Sequence, residues 1–461
     1  MDTSYDVRIW KTEVYTGART STHTVRWTVA GTPWRAPFKT VALADAFRSG
    51  LVSAARKGEA FIIATGRPTS MQREQKKVRW LDFATRYVDM KWPHLAPNSR
   101  RNTARALTNA TFALIVSDRG RPTDAEIRKA LTSWAFNGGA RRKAGGTPPA
   151  ALASALRWLD GNTRDMADLA EPAVSRAMLN SLTKRLDGAA AAAGTVQRQR
   201  GVLVNLAEYA IEERIFETNP LTSLAWKVPK TVKSVDKRVV VNPDQGRALL
   251  RAVSAEKPSG ARLVAFFGAM YFAALRPAEA ATLRRSNLIL PAEGGWGELL
   301  IEFSTPTAGA SWTDTGVRRE QRQLKHRAKG ETRSVPSPPE LTALLTDHLA
   351  AFGTTSDGLL FRGVRQDQLA ESTYARVWRK ARVKALTKEE AASPLAGRPY
   401  DLRHAAVSTC LNAGVPSTQV AEWAGHSVGV LHQIYAKCIV GQEEAAMKRI
   451  AAALGPIGPA A

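Results

Sequence analysis

Residues 400–435 read YDLRHAAVSTCLNAGVPSTQVAEWAGHSVGVLHQIY. Arg403-His404 is followed by Ala424-Gly425-His426-Ser427, and Tyr435 comes nine residues after His426 (435 − 426 = 9). A lone Tyr carries little information. A Tyr at this distance from a Gly-His, itself preceded by Asp401-Leu402-Arg403-His404, is hard to obtain by accident. Segments 401–413, 416–424 and 428–438 read as successive helices, and another is expected over 441–454.

The rest of the chain fits an anionic partner. Its 461 residues carry 66 Lys and Arg against 41 acids, a net charge of +25. A chain this basic binds a polyanion or does so non-specifically, and nucleic acid leads an anionic membrane surface or a ribosome-like partner. The hydrophobic fraction of 44% is ordinary for a globular protein with a sizeable core. Cys410 and Cys438 build no disulfide framework and have no CxxC spacing, which suits a reducing cytosol. Met1 to Lys11 is polar and lacks the apolar core of a signal peptide. The longest apolar run, Leu263 to Leu275, is too short to span a bilayer. A cytoplasmic protein is expected, and the abundance of Ala, Arg and Gly suggests a GC-rich bacterial genome or a virus of one.

Four regions are expected. Over 1–60, Val7, Ile9, Val14, Tyr15, Val25, Trp27 and Val29 fall in short runs broken at Gly17 and Gly31, and a helix follows from about Leu43 to Lys57. This reads as a small three-stranded sheet with one helix, and 58–72 as a linker. Residues 72–220 read as an all-α domain. Trp80, Phe83, Ala84, Tyr87 and Val88 follow helical spacing, and a last long helix runs over 195–213 before Asn219-Pro220. Lys76, Lys77, Arg100, Arg101, Arg198 and Arg200 are its candidate nucleic-acid contacts. Residues 221–241, with Lys230 and Lys233, form a basic linker that suits a strap across a phosphate backbone, with a merely solvated linker as the competing reading. Residues 242–455 read as a larger α+β domain. It holds a long apolar helix over 263–283, a small antiparallel sheet from 297–303 and 319–335, and the helices of the opening stretch. The fold class is multidomain and mainly α.

The charged residues suit chemistry at a phosphodiester. Transesterification there needs a nucleophile that loses a proton, cations on the non-bridging oxygens, and a proton for the leaving 5′ oxygen. Arg fits the second task because its planar fork stays charged and bonds phosphate bidentately. Fixed donors aimed at developing charge are usually the largest catalytic contribution. A Tyr hydroxyl, with an ordinary pKa of about 10, is a weak nucleophile until cations stabilise the phenolate.

Together with Ala274-Leu275-Arg276-Pro277-Ala278-Glu279, these boxes resemble the tyrosine recombinase (phage integrase) family, actinobacterial phage and integrative-element integrases in particular. The resemblance implies that Tyr435 is the nucleophile, that Arg276, Arg403 and His426 hold the phosphate, and that Glu279 orients the site. It places the general-acid Lys in a hairpin before Val335-Pro336, where Lys325 is favoured and Lys329 competes. The family's first His is replaced by Tyr400, which is either a binding substitute or a packing residue, because a phenol donates a hydrogen bond but cannot shuttle protons near neutral pH. His404 and His432 match no catalytic position and read as structural.

A member of this family would cleave and rejoin double-stranded DNA attachment sites through a 3′-phosphotyrosyl link. It would work as a homotetramer on two sites, with helix 442–454 docking on a neighbour and an excision factor or host DNA-bending protein as further partners. No metal and no cofactor are implied. The N-terminal sheet resembles the arm-type DNA-binding module of larger integrases, with a protein-interaction module as the alternative. For the whole chain, the alternatives are type IB topoisomerase-like relaxation and a catalytically degenerate DNA-binding regulator.

Overall fold

The structure is a computed structural model that describes residues 2–16, 21–71, 78–232, 234–324, 330–364, 368–438 and 442–454. The N-terminal module begins with β1 (Thr3–Ser4), β2 (Val7–Ile9), β3 (Glu13–Thr16), β4 (Ser21–Val29) and β5 (Thr32–Phe38), followed by α1 (Val41–Arg56) and β6 (Phe61–Ile62). β2 and β3 pair with one edge of β4 and β5 with the other, all antiparallel. The sheet is therefore three ribbons wide, with its first ribbon split in two. Alternation along β4 buries Val25, Trp27 and Val29 on one face. α1 covers that face, with the Phe47 ring 5.5 Å from Trp27 and 5.2 Å from Phe38.

The expected linker over 58–72 is part of this module as far as Met71. β6 pairs with β1, Phe61 is buried, and the Trp27 indole N–H donates to the Gly66 carbonyl. Gly66 has φ +68°, and a Cβ there would fall 2.4 Å from the Trp34 ring. A polar, Gly- and Pro-containing stretch carries no sign of that anchoring.

The helical domain holds α2 (Trp80–Lys91), α3 (Pro97–Ala113), α4 (Asp124–Ala130), α5 (Gly138–Lys143), α6 (Ala150–Asn162), α7 (Pro172–Ser181) and α8 (Ala193–Glu212). Its core is built from α2 and α3 against α8, through Phe83, Leu107, Leu203 and Leu206. The connection that follows is anchored at both ends. Leu221 is buried in the helical core, and Val235 packs in the C-terminal domain, where its N–H donates to the Ile434 carbonyl at 2.7 Å.

The C-terminal domain starts with α9 (Pro243–Ser254), α10 (Val264–Phe272) and the single turn α11 (Pro277–Ala280). The expected long helix over 263–283 is thus interrupted. Pro277 disfavours helical backbone at the residue before it, and Arg276 is extended at φ −72°, ψ 148°. Ala274, two residues earlier, takes φ +53°. α10 is apolar all round because it is central: Phe266 packs on Phe361 and Tyr374, and Phe267 on Trp378.

Strands β7 (Leu288–Ile289), β8 (Gly297–Ile301), β9 (Phe303–Ser304), β10 (Arg322–Gln323) and β11 (Arg333–Ser337) follow. β11, β8 and β7 form one antiparallel sheet, and β9 pairs separately with β10. The chain ends in α12 (Pro339–Phe352), α13 (Glu371–Ala385), α14 (Lys388–Ala392), α15 (Asp401–Asn412), α16 (Ser417–Ala424), α17 (Val428–Tyr435) and α18 (Gln442–Leu454). α15, α16 and α17 share a small core of Val407, Leu411, Val420, Ala421 and Leu431, which fixes how their ends meet.

Candidate active site

A buried carboxylate organises the site. Glu279 opens α11 and reaches back to the Arg276 backbone N–H at 2.9 Å and to its guanidinium at 2.6 Å. Arg333, on β11, gives Glu279 a two-pronged contact at 3.1 and 2.8 Å and is itself buried. Arg403 adds a third guanidinium, 3.9 Å from the same carboxylate. Burial alone would raise the Glu279 pKa. Arg333, Arg276 and Arg403 more than reverse that and hold it at about 2. One negative charge therefore orients three positive ones and leaves the cluster net cationic, which suits a phosphodiester anion.

The end of α16 positions the rest. Gly425 takes the left-handed conformation at φ 62°, ψ 49°, ending the helix and turning His426 inward. The carbonyl freed at Gly425 accepts from Arg276 at 2.8 Å. Arg403, on α15, donates to the carbonyls of Ala274 and Ala424. It also contacts His426 Nε2 at 2.8 Å. Arg can only donate, so Nε2 accepts and the ring carries its proton on Nδ1. Burial, with Arg403 and Arg276 nearby, keeps His426 neutral, its pKa depressed to about 3. Its Nδ1 has no hydrogen-bond partner among the described residues.

Tyr435 ends α17 and is wholly buried. Its ring stacks at 6.2 Å on His426, and its hydroxyl lies 2.9 Å from His404 Nδ1. Burial pushes the phenol pKa up, opposed by Arg403 and Arg276. Tyr400 sits one turn before His404, at the N-cap of α15, with ring centroids 5.1 Å apart.

Arg276, Glu279, Arg403, His426, Tyr400 and Tyr435 are thus gathered in one place. Sequence reasoning misses two neighbours. Arg333 alternates with Val335 and Ser337 on the inward side of β11, and a charge at an inward strand position is a legible signal. His404, expected to be structural, touches the Tyr435 hydroxyl. Lys325 and Lys329 lie outside the described residues, as do Lys76, Lys77 and Lys233.

Of the remaining candidate DNA contacts, Arg198 and Lys230 are exposed, and Arg101 and Arg200 are half-buried. Arg100 is corrected. It is buried, donates to the Trp92 and Trp312 carbonyls and to both oxygens of Asp314, and lies 4.6 Å over the Trp92 ring. Its guanidinium is taken up within the protein, where it joins two domains.

Comparison with known families places residues 240–439, which contain every member of this cluster, in the phage integrase family. That stretch is a phage integrase family domain. No curated protein matches the chain. Among solved structures, it resembles the Tn1549 transposon integrase in complex with a circular intermediate DNA. That match has 14% identity, covers 67% of this chain and 96% of that one, and has a TM-score of 0.48. The XerH site-specific recombinase bound to difH substrate matches at 15% identity over 83% and 98% of the two chains, with a TM-score of 0.47. A lambda integrase dimer bound to a core site matches at 12% over 90% and 91%, with a TM-score of 0.44. Among the described residues, no helix is long and apolar enough to cross a membrane.

Proposed function

We propose that this protein is a site-specific DNA recombinase that cuts and rejoins DNA through a 3′-phosphotyrosyl intermediate. The observation that supports it best is the convergence on Tyr435 of groups far apart in the chain: Arg276 and Arg403 beside a buried Glu279, with His426 stacked on the Tyr435 ring. In this reading the Tyr435 oxygen attacks phosphorus, and Arg276 and Arg403 neutralise the non-bridging oxygens. The unpartnered Nδ1–H of His426 donates to one of those oxygens. Lys325 protonates the leaving 5′ oxygen, and the incoming 5′ hydroxyl of a partner strand reverses the step. The phosphotyrosyl ester conserves the bond energy. Arg403 and Tyr435 are wholly buried, so contact with a phosphodiester requires the side chains covering them to shift.

The partner is double-stranded DNA, and the assembly proposed is a tetramer on two attachment sites. α18 supports the assembly: Met447, Ile450 and Leu454 follow a helical stripe and are exposed, a face suited to a neighbouring protomer. The N-terminal sheet supports an arm-type DNA contact. Strand register puts Arg8, Arg26 and Arg35 on the face opposite α1, with Tyr15, and all four are exposed.

A nicked suicide duplex carrying the attachment site tests the reading. Wild type is expected to accumulate a covalent protein–DNA adduct and Tyr435→Phe none. An adduct with Tyr435→Phe would remove Tyr435 as nucleophile. No adduct with wild type would favour a DNA-binding regulator without chemistry.

A further inference from the structure

We propose that His404 receives the Tyr435 phenol proton as the Tyr435 oxygen attacks the DNA phosphorus. The inference rests on the recombinase reading and goes beyond it, because the position from which an imidazole would be expected to act is held by Tyr400. Three observations point to His404. Its Nδ1 lies 2.9 Å from the Tyr435 hydroxyl, within direct proton-transfer distance. Its ring is held between two others, Tyr400 at 5.1 Å and Tyr435 at 5.6 Å, both edge-on, so the nitrogen has a fixed aim. It follows Arg403 directly on α15, so the residue that clamps the phosphate and the residue that takes the proton move as one piece.

The neighbours of this pair favour a neutral imidazole. On its own helix and the turn before it, His404 faces Tyr400, Asp401, Arg398 and Arg403. Across from it lie Tyr435 and, around the phenol, His426, Cys438 and Arg276. Burial is the main cause that depresses the His404 pKa, to about 4; Arg398 and Arg403 add to this and Asp401 opposes it. The ring is therefore neutral at neutral pH, and the same burial makes it a weak base until a phosphate anion docks beside it and favours the imidazolium.

The step balances. A lone pair on the Tyr435 oxygen forms the O–P bond while its proton moves to Nδ1. The P–O5′ bond breaks, its electron pair stays on O5′, and the general acid supplies that oxygen's proton. In rejoining, the incoming 5′ hydroxyl gives its proton to the conjugate base of the general acid as its oxygen bonds phosphorus, the P–O bond to Tyr435 breaks, and the His404 imidazolium returns the proton to the Tyr435 oxygen.

Single-turnover adduct formation on the suicide duplex is the test, with wild type, His404→Asn and His404→Ala. Asn keeps an acceptor near the Nδ1 position but is not a base. His404→Asn is expected to cleave about 10²- to 10⁴-fold more slowly at neutral pH while binding the duplex as wild type does. Its rate should climb tenfold per pH unit on the alkaline side, as hydroxide replaces the missing base, whereas the wild-type rate stays flat there. Cleavage by His404→Asn within about twofold of wild type would overturn the proposal, as would slow cleavage with a flat profile. Should both variants fail to fold, the wild-type profile decides: a tenfold rise per unit above neutrality would mean that no internal base is at work. Loss of adduct in wild type, or its survival in Tyr435→Phe, would instead sink the underlying recombinase reading.

Discussion

Glu279 shows how much a single buried charge can organise. Its carboxylate touches Arg276 and Arg333 directly and Arg403 at longer range. Removing it would leave buried guanidiniums unpaired, and Glu279→Gln is expected to cost about 3–5 kcal/mol in urea unfolding near neutral pH. The pH dependence has a definite sign. The folded-state pKa of about 2 lies below the ordinary 4.5, so this stabilisation is complete above 4.5 and fades as pH falls towards 2. The gap between wild type and Glu279→Gln should therefore narrow across that window, and a gap that stays constant would show that Glu279 is not ionised in the fold. The Arg276-x-x-Glu279 pair is readable because both ends lie in one short motif. For Arg333 only the inward position on β11 is readable; its pairing with Glu279 depends on a strand placed beside α11 from more than fifty residues away, which no local pattern encodes.

The turn that ends α16 is the element on which the geometry hinges. A Cβ at Gly425 would lie 2.2 Å from Arg333 Nη1 and 3.3 Å from Arg276 Nη1. Arg333 is buried and tied to Glu279, so it cannot swing aside. Gly425→Ala should lose about 1–3 kcal/mol from backbone strain alone. It should also displace the arginines and sharply reduce adduct formation. Gly358→Ala is the control, since Gly358 also has positive φ (+80°) but open space around it. It is expected to lose stability and keep cleavage, and equal cleavage loss in both variants would mean that strain, not the arginine clash, is responsible. α15, α16 and α17 are legible because helical spacing, the Gly stop and the Gly-His box agree. The break between α10 and α11 is not, because a thirteen-residue run from Leu263 to Leu275, apolar at every position but Gly268, masks the effect of Pro277. β9 and β10 are only two residues long, too short for alternation to show.

At the scale of the whole molecule, the helical and C-terminal domains are joined by a segment between β9 and β10. Trp312 stacks on Trp92 at 6.1 Å within the helical-domain core, Asn98 and Asn137 donate to the carbonyls of Thr307 and Ser311, and Arg100 grips Asp314. Partners 174 or more residues apart leave no trace in periodicity. One signal is present: Arg100 falls in register with Ala104 and Leu107, at i+4 and i+7, on the buried stripe of α3. With a net charge of +25, most basic residues do face outward, and charge alone groups Arg100 with that majority. DNA binding separates the two roles. Removing one phosphate-binding cation should lower the slope of log K against log salt by about 0.9. Lys230 is exposed on the connection between the domains, so Lys230→Ala is expected to reduce the slope by about that amount. Arg100→Ala should leave the slope unchanged while speeding amide exchange over 307–314, where its carbonyl and carboxylate partners lie. A reduced slope for Arg100→Ala, measured by fluorescence anisotropy across a salt series, would return Arg100 to the DNA interface.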